Sequence, residues 1–421
     1  MFALTTVVVL FSLSYTLALF VVSRRRNGSL LPPPDQLFFV FVLPCLNEEL
    51  VIERSLERLL GLASDNFAVL VVDDASSDGT ARIVEQYEGE RVWLLRRHLP
   101  NAKKGKGEAL NAAFHHLQHE RQLPVRASQV IVCVVDADGR LADNALAEVA
   151  PYFRDPRAGA VQIGVRMYNA PAGLLPRMQD FEFVTFTEIF QRARQQLGSV
   201  GLGGNGQFTR LSALADLGDA PWTSCLTEDL ELGVRLRLAG WSNHFCPRSY
   251  VSQQAVTRVR ALVRQRSRWF QGHLQCWRQI GPVLRSGLPT KATFDLVFHL
   301  TGPALVLLVT PPMIAFAAGI LALGVGAVIG ASLHTAVANG GRLFVLWYVL
   351  SFGLAPFYGF SYWLQARDTS LAKSVALAHL FSIYSYLWLF AGWRAVARIL
   401  TGRRGWAKTA RTVEVASEVA V

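Results

Sequence analysis

Val71-Val72-Asp73-Asp74-Ala75-Ser76-Ser77-Asp78-Gly79 and Val130-Ile131-Val132-Cys133-Val134-Val135-Asp136-Ala137-Asp138 share one pattern, an unbroken apolar run that stops at paired carboxylates. A run without polar alternation is what a strand buried on both faces of a parallel sheet requires. Phe38 to Leu43, Ala68 to Val72, Val92 to Leu95 and Val130 to Val135 repeat it, with helical stretches such as Thr80 to Gln86 and Glu108 to His116 between them. That alternation predicts an α/β domain with a mostly parallel sheet, whose ligands bind beyond the carboxyl ends of the strands. Both aspartate clusters fall at such ends. Asn47 is expected to cap the helix after the first strand, with Glu48 and Glu49 in its first turn. Neither GxGxxG nor GxxxxGK[ST] occurs, so the dinucleotide and P-loop readings lack their key residues.

Outward from this domain the chain turns apolar. Residues 1–23 carry no charged side chain and Arg24-Arg25-Arg26 follows at once. Roughly 20 apolar residues cross a bilayer core, and positive residues stay cytosolic, so the segment reads as an uncleaved anchor. Residues 36–255 form the catalytic α/β domain, 256–292 an interfacial amphipathic region, 293–400 a set of C-terminal membrane helices and 401–421 a cytosolic tail. Leu343 to Gln365 and Ser374 to Trp393 each look like one span. Phe294 to Leu333, with Pro311-Pro312 near its middle, is expected to form two short spans, or an interfacial helix leading into one. A multi-pass protein of a bacterial plasma membrane with its catalytic domain in the cytosol follows. The net charge of +11 lies largely beside apolar segments, where basic residues set orientation and attract lipid head groups, which argues against nucleic acid. Five cysteines without ligand spacing read as reduced core thiols.

The chemistry-bearing residues come in four groups. Asp73 and Asp74 can accept hydrogen bonds from a base or a ribose, or can simply build a turn and a helix cap. In Asp136-Ala137-Asp138 the alanine lets alternate carboxylates point the same way, and together with a diphosphate they make an oxygen-rich site suited to Mg²⁺ or Mn²⁺. Lys106, in Lys-Lys-Gly-Lys-Gly-Glu before a helix, is a candidate phosphate contact. Thr227-Glu228-Asp229 opens an amphipathic helix, and Asp229 there is the candidate general base toward an acceptor hydroxyl; capping is its structural alternative. Gln265-Arg266-Ser267-Arg268-Trp269 sets an arginine pair suited to a diphosphate beside a tryptophan suited to a sugar ring, and also fits a basic interfacial helix.

In order and spacing these groups, with Leu43-Pro44-Cys45-Leu46-Asn47-Glu48-Glu49, resemble the inverting family 2 glycosyltransferases of the membrane-embedded cellulose, chitin and hyaluronan synthase type. The resemblance covers about residues 38 to 272. It implies a GT-A fold, a nucleoside-diphosphate sugar donor, foremost a UDP-sugar, and Mg²⁺ or Mn²⁺. It places Asp73 or Asp74 on the nucleoside, Lys106, Asp136, Asp138, Arg266 and Arg268 at the diphosphate, and Asp138 on the metal. Trp269 and Glu228 go to a glycan or lipid acceptor, and Asp229 to base catalysis. Trp406, Lys408 and Arg411 are similar to the gating segment of these synthases. Gly204-Asn205-Gly206 departs from the commoner Cys-Gly loop. Growth of a polysaccharide with translocation is the leading expectation, a single-addition glycolipid synthase the alternative, and a silent nucleotide-sugar-binding scaffold a third.

Overall fold

The computed structural model describes residues 2–25, 32–34, 36–328, 345, 348–349, 351–366 and 368–402. The apolar runs become strands where expected: β1 (Phe38–Cys45), β2 (Phe67–Asp73), β3 (Val92–Arg96) and β4 (Val130–Val134), joined by β5 (Arg140–Leu141), β6 (Ala158–Met167), β7 (Gln207–Arg210) and β8 (Ser242–Gln253). They lie in one sheet of order β3-β2-β1-β4-β7-β6-β8-β5. β1 pairs in parallel with β2 and β4, and β2 with β3, whereas β7 runs antiparallel to both β4 and β6. Each face of β1 meets its own core: Phe39, Phe41 and Leu43 pack on one side, Val40 and Val42 on the other. Burial on both faces explains why the sequence shows no alternation.

The helices are α1 (Phe2–Ser23), α2 (Ile52–Leu60), α3 (Thr80–Glu85), α4 (Lys106–His115), α5 (Ala145–Val149), α6 (Leu174–Thr185), α7 (Arg192–Leu197), α8 (Leu211–Ala215), α9 (Glu228–Leu238), α10 (Val259–Gln275), α11 (Ile280–Arg285) and α12 (Thr290–Val328). α6 and α7 are joined without a break by a π-helical stretch, Phe186–Gln191. Asn47 caps no helix, a departure from the sequence reading. α2 begins only at Ile52, and Asn47, at φ 56°, turns its Oδ1 to accept from the Ser77 amide at 2.7 Å. Residues 290–328 form one continuous helix of 39 residues rather than two spans; the prolines remove two amide donors without ending it. Leu371–Tyr384 and Tyr386–Leu400 meet at Ser385. Together they form the one helix, among the described residues, that is long and apolar enough to cross a membrane. Within the expected span over 343–365, the described residues include the helix Ala355–Trp363.

Helix α1 is fastened to this C-terminal part by polar contacts as well as apolar ones. Tyr15 donates to Asp295 at 2.6 Å and Arg24 to Ser361 at 2.8 Å, and the Tyr15 and Phe298 rings meet edge to face with centroids 4.5 Å apart. On the sheet side, Arg210 at the end of β7 is 5 % exposed and gathers carbonyls from two connecting segments, those of Ala158, Phe153 and Asp155 at 3.0 Å each leading into β6 and that of Ser128 before β4. Each buried acceptor left without a donor costs about 1–3 kcal/mol. Arg210→Met should therefore lower stability by about 3 kcal/mol or more, read as a drop in the thermal unfolding midpoint of the detergent-solubilised protein; an unchanged midpoint would refute this account of the sheet edge.

Candidate active site

The loops at the carboxyl edge of the sheet are held in conformations that non-glycine residues rarely adopt. Asn47, Ala75 and Lys103 have φ of 56°, 59° and 63°, each costing on the order of 1–3 kcal/mol unless its surroundings fix it. They are fixed by one another's loops. Glu49 accepts from the Gly79 amide at 2.7 Å, the Glu48 amide donates to Thr80 Oγ1 at 2.7 Å, and the Lys103 amide donates to Asp74 Oδ2 at 3.0 Å. Asp74 also pairs with Arg97. Asp73 Oδ1 accepts from the Ser76 amide at 3.2 Å. Asp74 therefore lines the cavity, while Asp73 shapes the turn beneath it.

A cavity of about 550 Å³ opens above this edge. Its lining is mixed: Glu48, Asp74, Lys106, Asp136 and Asp229 supply charge, and Phe186, Phe190, Phe298, Pro303 and Trp388 supply apolar surface, with Arg194 and His299 beside Phe186. Lys106, at the start of α4, donates to Asp136 Oδ1 and to the Gly204 carbonyl, both at 2.6 Å. Gly204 lets these groups close in: a Cβ there would stand 3.1 Å from Asp229 Oδ2 and 3.2 Å from Lys106 Nζ, so either side chain would have to give way slightly. Asp136, Lys106 and the start of α9 are thus brought into one cluster from three separate parts of the chain. Asp138 is 1 % exposed and its Oδ2 accepts from the Gln254 amide at 3.0 Å.

The charge balance of this cluster orders its protons. Burial would lower the Lys106 pKa, but the pull of Asp136 and Glu228 outweighs it and the net shift is upward. Burial raises the Asp229 carboxyl, against its hydrogen bond from the Leu230 amide and the nearby Lys106 charge. Burial, and then the Asp229 charge, push Glu228 to about 8. Burial thus raises both neighbouring carboxyls, and the two titrate as a coupled pair beside the Lys106 ammonium.

Within the QRSRW segment, on α10, the structure separates residues that the sequence grouped. Gln265, Arg268 and Trp269 line the cavity. Arg266, expected on the diphosphate, is instead 1 % exposed and donates to Glu182 of α6 at 2.6 Å, with its guanidinium 4.0 Å from the Trp269 ring centroid. A buried guanidinium needs a carboxylate, and Glu182 supplies it. Glu182 also accepts from Tyr384 and from Trp388 Nε1, at 2.8 Å each. α10 is brought onto the start of α9 by Gly272, whose added Cβ would lie 2.6 Å from the Thr227 amide nitrogen. Behind Thr227, whose side chain makes no capping bond, Cys225 and Cys276 lie with their sulfurs 3.7 Å apart. All five cysteines are free and buried, as expected. Trp406, Lys408 and Arg411 lie outside the described residues.

Sequence reasoning missed Glu182, Gln191, His273 and His299, which the fold brings to the cavity wall. They sit inside segments that read only as helices. Among the described residues, groups of three or more His, Cys, Asp or Glu side chains arranged for a metal do not occur. The donor set at Asp136 and Asp138 is all oxygen, with no soft ligand, which fits a hard cation that arrives with phosphate oxygens.

A sheet of this order with an acidic rim answered by one lysine defines a GT-A glycosyltransferase fold, in which a nucleotide-linked sugar lies over the strand ends. The chain belongs to the glycosyltransferase-like family 2, whose profile matches residues 33–272. It is 34 % identical over 275 residues to a β-monoglucosyldiacylglycerol synthase of Trichormus variabilis, a match spanning 63 % of this chain and 55 % of that one. It is 26 % identical over 251 residues to a poly-β-1,6-N-acetyl-D-glucosamine synthase of Staphylococcus epidermidis, covering 58 % and 57 %. The chain thus spans about half the length of the curated relatives it matches. Among solved structures, the mannosyltransferase PcManGT of Pyrobaculum calidifontis, in complex with GDP-Man and Mn²⁺, shares the fold, with a TM-score of 0.60, 19 % identity and coverage of 92 % and 98 %.

If Asp229 is the base and Glu228 carries the proton, the two amides differ. Asp229→Asn should lower kcat about 10²–10⁴-fold, while Glu228→Gln, which mimics the protonated form, should stay within about tenfold of wild type and remove the ionisation near 8 from the pH profile. Equal losses in both variants would reverse the assignment. Glu182→Ala strands the Arg266 guanidinium, and a broken buried pair costs about 3–5 kcal/mol. The expected readout is a large fall in the thermal unfolding midpoint relative to the wild-type protein, and an unchanged midpoint would refute the buried pair's role.

Proposed function

We propose that this protein is a membrane-bound inverting glycosyltransferase that transfers one sugar from a UDP-sugar to a hydroxyl on a lipid. The observation that carries the reading is the mixed lining of the cavity. Its charged lining suits a charged donor, and its aromatic lining, with Phe186 and Phe190 from the π-helical stretch, Phe298 from α12 and Trp388 from the last apolar helix, suits an alkyl chain. A leaving polysaccharide would need hydroxyl partners along its path. The similarity to the glucosyldiacylglycerol synthase supports the same choice. Processive growth of a polysaccharide is the second reading, favoured by the similarity to the poly-N-acetylglucosamine synthase.

In this reading Asp74 meets the nucleoside, Lys106 and Arg268 meet the diphosphate, and Arg266 acts by holding Trp269 in place. Asp138, with Asp136, would hold Mg²⁺ or Mn²⁺ against the diphosphate oxygens, and the cation supplies neutralisation of the leaving group's charge. Asp229 accepts the proton of the acceptor hydroxyl as that oxygen attacks the anomeric carbon, opposite the departing nucleoside diphosphate. Glu228, still protonated, donates a hydrogen bond to the acceptor without adding charge. Trp269 packs on the incoming sugar or acceptor ring. Most of the acceleration comes from holding the two substrates in line at a site whose charges are already arranged. Residues 1–23 and 293–400 anchor the enzyme, with residues 36–255 in the bacterial cytosol.

One experiment tests this. UDP-glucose, UDP-N-acetylglucosamine, UDP-galactose and GDP-mannose are supplied in turn with Mg²⁺ or Mn²⁺ and extracted lipids, and nucleotide release and product mass are recorded. The expected outcome is one donor that gives a lipid one hexose heavier. A ladder of products establishes the polysaccharide reading instead, and nucleotide binding without release establishes a silent scaffold.

A further inference from the structure

Beyond the donor chemistry, the cavity floor carries three polar side chains that the mechanism leaves unused. The π-helical stretch contributes Gln191, α10 contributes His273 and α12 contributes His299. Gln191 is 4 % exposed, and its Nε2 donates to the Gly201 carbonyl at 2.7 Å. Only the amide nitrogen can serve a carbonyl, so the orientation of the group is fixed and its oxygen is the atom left over. That oxygen, Oε1, is buried and has no hydrogen-bond partner. A buried acceptor in that state is costly, and a ligand O–H removes the cost.

The surrounding charge is already spent. Arg194 reaches His299 Nε2 at 3.5 Å, but its Nε is paired with Asp295 Oδ2 at 3.0 Å. Asp295 in turn accepts from Tyr15 and Ser199. The His273 and His299 rings meet edge to face with centroids 5.5 Å apart. Burial pushes His273 down to about 4, against a hydrogen bond to the Trp269 backbone, so it faces the cavity uncharged. The floor thus offers acceptor atoms and neutral rings, which suit hydroxyls and give a phosphate monoester no free cation to pair with.

The floor is also close to the base. A Cβ on Gly201 would stand 3.2 Å from His299, and one on Gly204 would stand 3.1 Å from Asp229 Oδ2. Two residues of chain separate those glycines, three Cα steps that span at most about 11 Å. A glycerol or hexose unit bridges such a distance.

We propose that Gln191, His273 and His299 form an acceptor subsite for an uncharged, hydroxyl-bearing head group, a glycerol or a sugar, and discriminate against a phosphate monoester there. This rests on the lipid-acceptor reading above. The test uses the full chain in mixed micelles, the donor identified by nucleotide release, and two probes, dioctanoylglycerol and dioctanoyl phosphatidic acid. Wild type should glycosylate the former and be indifferent to the latter as an inhibitor. Gln191→Met should raise the dioctanoylglycerol KM about tenfold while the donor KM stays within about twofold. His299→Phe, which keeps a ring in place, should do the same, and UDP-induced thermal shifts check that both variants are folded. Unchanged acceptor KM in both folded variants, or competition by the phosphatidic acid, overturns the subsite alone. A wild-type protein that releases nucleotide but glycosylates no lipid overturns the lipid reading and the subsite with it.

Discussion

The arrangement of this site depends on gathering three carboxylates around one ammonium group. Lys106 bonds Asp136 and the Gly204 carbonyl at once, and its charge acts on Glu228 and Asp229 as well. At Glu228 and Asp229 burial opposes ionisation, and that cation acts against it. Because the lysine belongs to α4, Asp136 to the end of β4 and the other two to α9, a single charge fixes the relative placement of the two halves of the sheet. The same surroundings raise the two carboxyls on α9 above the usual carboxylate range, Glu228 to about 8.

A second centre lies on the membrane side and is organised in the opposite sense, around an anion. Glu182 receives Arg266, Tyr384 and Trp388, so α6, α10 and the last apolar helix converge on one carboxylate. The Arg266 guanidinium then lies over Trp269. This wall of the cavity is therefore built from groups that are far apart in sequence, and its geometry is coupled to the helices that carry the apolar segment.

Much of this was legible beforehand, and the boundary is informative. Strands β1 to β4 and the placing of Asp74, Asp136 and Asp229 follow from apolar runs that end in carboxylates, because burial on both faces and ligand binding at strand ends leave a mark on neighbouring residues. Arg266 was misplaced for a definite reason: at a spacing of one or two residues a helix points side chains in different directions, and only the presence of Glu182, 84 positions away, decides which arginine is buried. Asn47 reads as a cap because its left-handed backbone, fixed by the loop after β2, leaves no trace in the local sequence. Gln191, His273 and His299 were invisible because helical periodicity marks faces and cannot say which two faces will meet. The continuous helix over 290–328 likewise overrides a pair of prolines that local rules read as a break.

Gly272 has an implication for how such enzymes diversify. Since any side chain at that position would collide with the Thr227 backbone, the helix bearing Trp269 and the helix bearing Asp229 are fitted to each other at van der Waals distance. Recombining them between relatives would shift Trp269 and Asp229 relative to each other. Natural or engineered variation is then channelled toward the aromatic wall and the floor of the cavity, which can change without shifting that seam.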